Sequence, residues 1–457
     1  MSKRKMTAIV GAVLMFGLET TVKAEFEGGL GTQAQPWVIA NATQFDSLRS
    51  CLGAGYTNTY FVLACDIDLT AYLSSSGGGY AKWGTAGWEP IGYPLQWPDR
   101  SGSFCGKLNG NGHQVTGLWI NRETYGVGLF GCTDEGCEIL NVGVVTDASH
   151  GGVRGGGDVG GVVGDAFNSR LVNVQVTGLV AGGGGIGGLV GMVERTVISN
   201  CCAAATISGD LAGYGGVGGL VGLLHNGVIV SSYAKCQVYG RYNAGGVVGN
   251  VNSYGTVIDC YAKGGVSGAA SIGGVAGSNS GVIAHVYAMC AVEGVSEIGG
   301  IVGENLYGTR VVESSYFDVQ AAGVEDGVGG GYSLGGGYGK TSAEMRRQST
   351  FIGWDFAAVW TLCEGFATPV FRWQPLSPSG VRVKGFSKAP GAFTFAWEAV
   401  GEKVPVVYAK GRLSDSEWVP LTNGVGVAVH MRSDGATLVF DSQSEASPYR
   451  FFTVIVP

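Results

Sequence analysis

A chain of 457 residues is too long for one small core and long enough for two or three domains. Its 83 glycines, about 18% against an average near 7%, come without a Gly-X-Y register and alongside 45% hydrophobic residues, which excludes collagen and simple disorder. Charged residues make up only 14% and the formal net charge is −7, a balance that argues against nucleic acid as a partner.

The first segment, 1–24, reads as a secretory signal. Lys3, Arg4 and Lys5 form a basic start, Thr7 to Leu18 an apolar run too short to span a bilayer, and Val22 and Ala24 the small residues of a cleavage site. Cleavage before Glu25 removes more positive than negative charge. No later stretch is apolar enough for a membrane span, so the expected localisation is secreted or at the cell surface.

Residues 25–125 read as an N-terminal cap with the first coils of a repeat. A short helix is expected over Ala42 to Leu52, with Asn41 or Thr43 at its N-cap. Extended runs follow at Tyr60 to Leu63, Asp66 to Leu69, Trp88 to Gly92 and Gly102 to Gly106. Asp66 and Asp68 alternate along one run; a calcium or acid/base role competes with a plain exposed strand end, which is preferred.

Residues 126–322 repeat. A glycine motif opens as Gly126 to Gly131 and recurs with closing glycines at Gly164, Gly191, Gly222, Gly249, Gly277 and Gly303, a period of about 27 residues. After each motif comes a polar turn, then a β-branched run such as Val257-Ile258-Asp259-Cys260-Tyr261-Ala262, then a short run ending in glycine such as Gly265-Val266-Ser267-Gly268. Three strands per unit, stacked in parallel at about 4.8 Å, would place Val, Ile and Leu in continuous inward columns. The glycines would supply φ > 0 at corners and let backbones approach. In this stacking Cys236 and Cys290 share a column two coils apart, as do Cys201 and Cys260. At about 9.6 Å they are too far apart for disulfides, so they are expected buried and unpaired. With eleven cysteines in all, proximity alone suggests Cys51/Cys65 and Cys132/Cys137 as pairs. Tyr233, Tyr261 and Tyr287 occupy equivalent positions in successive units. Facing outward, they would form an aromatic binding ladder for sugar rings or proteins; facing inward, they are core.

Residues 323–375 read as the C-terminal cap, with Gly323 to Gly339 a glycine-rich excursion and Thr341 and Glu344 spaced as a capping box. From residue 376 to 457 glycine thins out and short alternating runs suggest a small β-sandwich.

The Gly-Gly-Leu-Val-Gly motifs at Gly187 to Gly191 and Gly218 to Gly222, followed by strands like Asp259-Cys260-Tyr261-Ala262, resemble the GLUG repeat of bacterial surface proteins. The approach segments Gln35 to Ile39, Trp88 to Gly92 and Asn109 to His113 and the exit Gly353-Trp354-Asp355-Phe356 are similar too, so the resemblance covers about residues 31–375. The last 80 or so residues resemble a fibronectin type III-like module. The resemblance implies an adhesin-like repeat rather than a catalytic unit. GLUG repeats also stand beside the protease domain of immunoglobulin A metallopeptidases, but none of His113, His150, His225, His285 and His430 is followed by Glu, so the zinc peptidase signature is missing.

Other motifs carry little. Gly126 to Gly131 fits G-x-G-x-x-G, yet it lies in a strand-rich repeat without the helix that a dinucleotide site needs. Gly339-Lys340-Thr341 ends like a P-loop, but Leu334 stands where its first glycine should. The expectation is therefore an all-β protein, a parallel β-solenoid with a small C-terminal β-sandwich. Its role would be adhesive or ligand-binding, with glycans or surface proteins as partners and with no catalytic residue, metal or cofactor. The alternative is a carbohydrate-active β-helix enzyme, a polysaccharide lyase or glycosidase.

Overall fold

The computed structural model describes residues 25–374, apart from 94–98, 100, 210–214, 307–310, 333–335, 363 and 366, and beyond 380 the backbone of seven strands. The expected signal segment lies outside the described residues. The chain forms two compact units, one of residues 1–345 and 349–354, the other of 346–348 and 355–457.

The first unit is a parallel β-solenoid. From Tyr125 on, each coil crosses three sheets: a long sheet of 20 strands, which alone extends back to Trp37, a sheet of seven and a sheet of eight. Pairing is residue for residue. Val228–Gly240 lies on Thr256–Ser267, which lies on Tyr287–Glu293, so Val238, Val266 and Val292 share a column, as do Ala234, Ala262 and Ala288. These side chains are buried in one continuous core. A single coil could not bury them, because half of each neighbour is missing until the next layer arrives.

The partition of a coil differs from the one expected. The glycine motif is two strands on two sheets: Val217–Gly218 belongs to the seven-stranded sheet and Val221–His225 to the eight-stranded one, with Gly219 and Leu220 between them. The β-branched run and the run after it share the long sheet, and in Val228–Gly240 they are one bent strand.

Of the two roles expected of the glycines, the motif positions take close approach and not the corners. Those of the repeated motif mostly keep ordinary negative φ. The left-handed corner after the β-branched run goes instead to Asn141, Asn173, Asn200, Ser231, Asp259, His285 and Ser314, with φ of 43–60°. Short polar side chains tolerate this region, and asparagines stacked there join neighbouring coils. Asn141 Nδ2 donates to Asn109 Oδ1 and Asn173 Nδ2 to Asn141 Oδ1, both at 3.0 Å. Close approach is what the motif glycines provide. A Cβ on Gly218 would collide with the Val221 carbonyl and the Gly249 amide, and one on Gly249 with the backbone at Gly216 and Val217. The seven- and eight-stranded sheets thus meet backbone to backbone. Next to the motif, Gly185 lies against the side chains of Leu223 and Asp158, and Ser271 Oγ donates to Glu304 Oε2 at 3.3 Å.

Both ends are closed by aromatic residues. At the N-terminal end Phe45, Phe61, Trp88, Phe104 and Phe130 are fully buried. The expected helix is only Ala42–Asp46, capped by Asn41, which accepts from Gln44 N at 3.0 Å; the chain then tightens into a 3-10 turn. Asp46 pairs with Arg49 at 2.5 Å and with Lys82, and the Arg49 guanidinium lies between the rings of Trp83 and Trp88 at 4.8 and 4.7 Å. At the other end the glycine-rich excursion adds a rung: Val328–Gly331 pairs with Val302–Asn305, and Gly337–Lys340 with Ser315–Asp318. The capping box forms as expected, with Thr341 N donating to Glu344 Oε2 at 2.8 Å and Glu344 N to Thr341 Oγ1 at 3.2 Å.

In the second unit the strands beyond residue 380 make two antiparallel sheets, one of four strands and one of three.

Candidate functional site

The long sheet presents the solenoid's most varied outward face. Because side chains alternate along a strand, Ala262 points into the core and its neighbours Tyr261 and Lys263 point away from it. The tyrosine column therefore faces out from the coil. Tyr233 and Tyr261 stack at 4.8 Å with their planes 3° apart, and Tyr261 and Tyr287 at 4.9 Å and 8°. The register carries the column on to Tyr316 and Tyr338, two members the sequence reading missed, and back to Cys202. The missed signal is Ser315-Tyr316-Phe317, a Tyr run of the same kind in a coil whose glycine motif is less regular.

Facing outward is not the same as being open. The exit segment folds back over the column, with Phe351 and Trp354 at 6.3 and 6.2 Å from Tyr287 and at 5.3 and 6.0 Å from Tyr316. Ile352 N donates to Tyr316 Oη at 3.1 Å, and Trp354 Nε1 to the Ser314 carbonyl at 2.8 Å. Tyr261 and Tyr287 are 0% exposed and Tyr316 4%, whereas Tyr233 is half-buried. Burial pushes the Tyr316 hydroxyl pKa up. Of the three expected ladder residues, only Tyr233 is accessible.

Further along the same face lies a shallow depression of about 510 Å³, open to solvent. Its floor includes Gly178 and Gly264, at φ 115° and 123°, and Ala204; Thr206 and Gln237 supply polar groups, and Lys235 and Lys263 stand at its edge. Both lysines follow a column tyrosine by two residues, and both lean on the rings: Lys235 Nζ is 5.3 Å from the Tyr233 centroid, and Lys263 Nζ is 5.5 and 5.8 Å from those of Tyr261 and Tyr287. The repeated Tyr-Ala-Lys at 233–235 and 261–263 is the sequence signal for this arrangement, and it was overlooked.

The remaining candidates resolve individually. Asp66 Oδ1 accepts from Gln114 N at 3.0 Å, with His113 Nδ1 at 3.3 Å, and Asp68 Oδ1 accepts from Thr70 N at 2.8 Å. Asp68 thus ties down local backbone, and Asp66 the backbone at the start of a distant strand. Among the described residues no group of three or more His, Cys, Asp or Glu is placed to hold a metal ion. Cys201, Cys236, Cys260 and Cys290 are buried and unpaired, in the columns expected. Burial pushes Cys201 and Cys290 up to about 12 and Cys236 to about 11, so no thiolate forms near neutral pH. The suggested disulfides are not present. Cys51 is buried while Cys65 is exposed, its Sγ directed at the Ala40 carbonyl at 3.2 Å; Cys132 Sγ lies 3.2 Å from Ser103 Oγ, and Cys137 packs into the core. Closeness in sequence is not enough: Cys51 ends a 3-10 turn and Cys65 follows the strand Tyr60–Leu63, while Cys132 lies in a strand of the eight-stranded sheet and Cys137 precedes one of the long sheet. No helix among the described residues is long and apolar enough to cross a membrane.

Glycine-crease coils, a continuous apolar core and aromatic ends define a parallel β-solenoid of the repeat class. No family model matches the chain. Over 123 residues it is 41% identical to "Putative Gly-rich membrane protein" of Evansella cellulosilytica, a stretch covering 27% of this chain and 12% of that protein. Over 165 residues it is 33% identical to halomucin of Haloquadratum walsbyi, covering 35% of this chain and 2% of that protein. The chain thus matches only small parts of these relatives. Among solved structures it is similar to that of a "putative immunoglobulin A1 protease" from Bacteroides ovatus, at a TM-score of 0.50 and 20% identity, over 77% of this chain and 96% of the other. At that identity the likeness shows the solenoid fold alone.

Proposed function

We propose that this protein is an exported, non-catalytic scaffold of the bacterial surface whose long-sheet face binds glycans or surface proteins. The observation that carries this reading is the outward face of the long sheet, where Lys235 and Lys263 line an open depression and the half-buried ring of Tyr233 lies two residues before Lys235. Aromatic and cationic groups held on a rigid sheet present a surface already ordered for a ligand. The basic, apolar start of the chain suits export, and the names of the two relatives, a Gly-rich membrane protein and a halomucin, suit a place outside the cell. The GLUG resemblance supports an adhesin-like role, and the two antiparallel sheets of the second unit suit a fibronectin type III-like module.

The competing reading, a carbohydrate-active enzyme, would draw on Asp158 and Asp165 of the second coil. Burial raises the Asp158 pKa, as a general acid needs. Asp165 is only 4% exposed, however, and the crease beside it is closed by backbone contact, which leaves no room for a sugar ring. A screen of the full chain against glycans and surface proteins, with a parallel assay for cleavage of the same glycans, tests the proposal. Binding without cleavage is expected; cleavage would overturn it, and absence of both would leave a purely structural role.

A further inference from the structure

Ahead of the left-handed corner, each coil gives the long sheet a three-residue run whose middle side chain points inward and whose outer two point out. Ile198, Ile229, Val257 and Ile283 are the inward members, all 0% exposed. The outward ones stack without a register shift. Val197, Val228, Thr256 and Val282 form one column, and Val172, Ser199, Val230 and Ile258 the next. Val197 and Val282 are 40% and 38% exposed, and Val172, Val228, Val230 and Ile258 are half-buried. A contiguous apolar strip that faces away from the core marks a surface for association.

The strip is bounded by charge. Arg170 continues the first column at one end, and Glu313 continues the second column at the other, beyond Ala284; both are exposed. Among the described residues neither forms an ion pair, and Glu138, the register neighbour of Arg170, is paired with Lys107 at 3.7 Å.

We propose that this strip is a self-association surface on which a second copy of the chain lies face to face, its coils running in the opposite direction. The two-fold axis lies in the plane of contact, at right angles to the stacking direction, and passes between the rungs of Val228 and Thr256. Each column then faces itself reversed. Val228 meets Thr256 of the second copy, and Val197 meets Val282. The rung of Arg170 meets the rung of Glu313, so an Arg–Glu pair closes each end of the apolar contact. Two copies running in the same direction would bring Arg170 level with Arg170 and Glu313 level with Glu313, so charge selects the reversed arrangement. From the rung of Arg170 to that of Glu313 the strip spans about 24 Å at the parallel-strand spacing. Such a contact is smaller than that of a permanent dimer, and a concentration-dependent one is expected. It is independent of the ligand binding proposed above.

Sedimentation velocity of the full chain from about 1 to 200 µM is the test. A dimer that builds up with concentration is expected. Arg170→Glu or Glu313→Arg alone should lower the association constant at least about tenfold, and the two together should return it to within about threefold of the unaltered chain, because the pair re-forms with its charges exchanged. Val228→Lys, at the centre of the strip, should leave a monomer throughout, with an unchanged thermal midpoint showing that the coils are intact. Where Val228→Lys lowers that midpoint, the charge-reversal set decides alone. Single reversals without rescue in the double variant, or a dimer indifferent to Val228→Lys, overturn the proposal. A monomer at every concentration also overturns it and leaves the strip to another protein or another segment of this chain.

Discussion

The crease between the seven- and eight-stranded sheets and the outward face of the long sheet belong to the same coils, yet they constrain sequence in opposite ways. In the crease, backbone touches backbone, and most motif positions admit nothing larger than hydrogen. On the long sheet the outward columns run through Gln175, Cys202, Tyr233, Tyr261 and Tyr287, changing chemistry from coil to coil without changing the backbone. A repeat that is rigid on two sheets is free to vary on the third, and variable positions on a fixed frame are where binding resides.

The sharpest way to break this comparison is to put the same methyl group on both surfaces. Gly218→Ala should cost on the order of 4 kcal/mol, because backbone atoms of two strands would have to part. Gly265→Ala meets only a flexible glutamine and should stay within about 1 kcal/mol. Denaturant midpoints of the two variants decide the matter, and equal losses would mean that the crease is not special.

The covered and open parts of the tyrosine column form the next contrast. Tyr287→Ala, beneath Phe351 and Trp354, should destabilise the solenoid by about 3 kcal/mol, and Tyr233→Ala by about 1 kcal/mol, as read by chemical unfolding. Tyr233→Ala should be the one that weakens ligand binding.

A smaller effect is expected in the N-terminal cap. Burial alone would raise the Asp46 pKa, but the hydrogen bond from Lys82 and the charge and hydrogen bonds of Arg49 and Tyr72 outweigh it and hold the carboxyl below its ordinary value. A lowered pKa in the folded state contributes stability above the unfolded value, near 3.9, that is lost as pH falls through the folded one. Melting temperatures should therefore drop below about pH 4, and Asp46→Asn, costing about 2 kcal/mol at neutral pH, should flatten that acid limb. Smallest of all, a thiol reagent should label Cys65 in the native protein and reach Cys201, Cys236, Cys260 and Cys290 only on unfolding, as mass mapping of the labelled peptides would show.

Much of the architecture was legible because a stacked coil repeats its own pattern. The spacing of the closing glycines specifies the coil, and alignment of one coil on the next specifies the cysteine columns. Legibility failed where a signal was shared between structural causes. For Gly218 and Gly219 the sequence leaves positive φ and close approach both open, since glycine serves either, and only the packed sheets distinguish the two. The corners fell to Asn173, Asn200 and Asp259, whose short polar side chains bear the left-handed region and can bond along the stack.

The amino-acid pattern alone determined that the chain coils, how long each turn is, and which residues share a column, because parallel pairing of equal units leaves little choice of register. Tertiary structure decided which columns the solvent can reach. Tyr287 and Tyr233 are equivalent in sequence, yet Tyr287 is fully buried beneath Phe351 and Trp354, some 65 residues further along the chain, and Tyr233 is half-buried. Such long-range cover leaves no trace in the local period, so the accessible part of the ladder, and with it the candidate site, came from the fold.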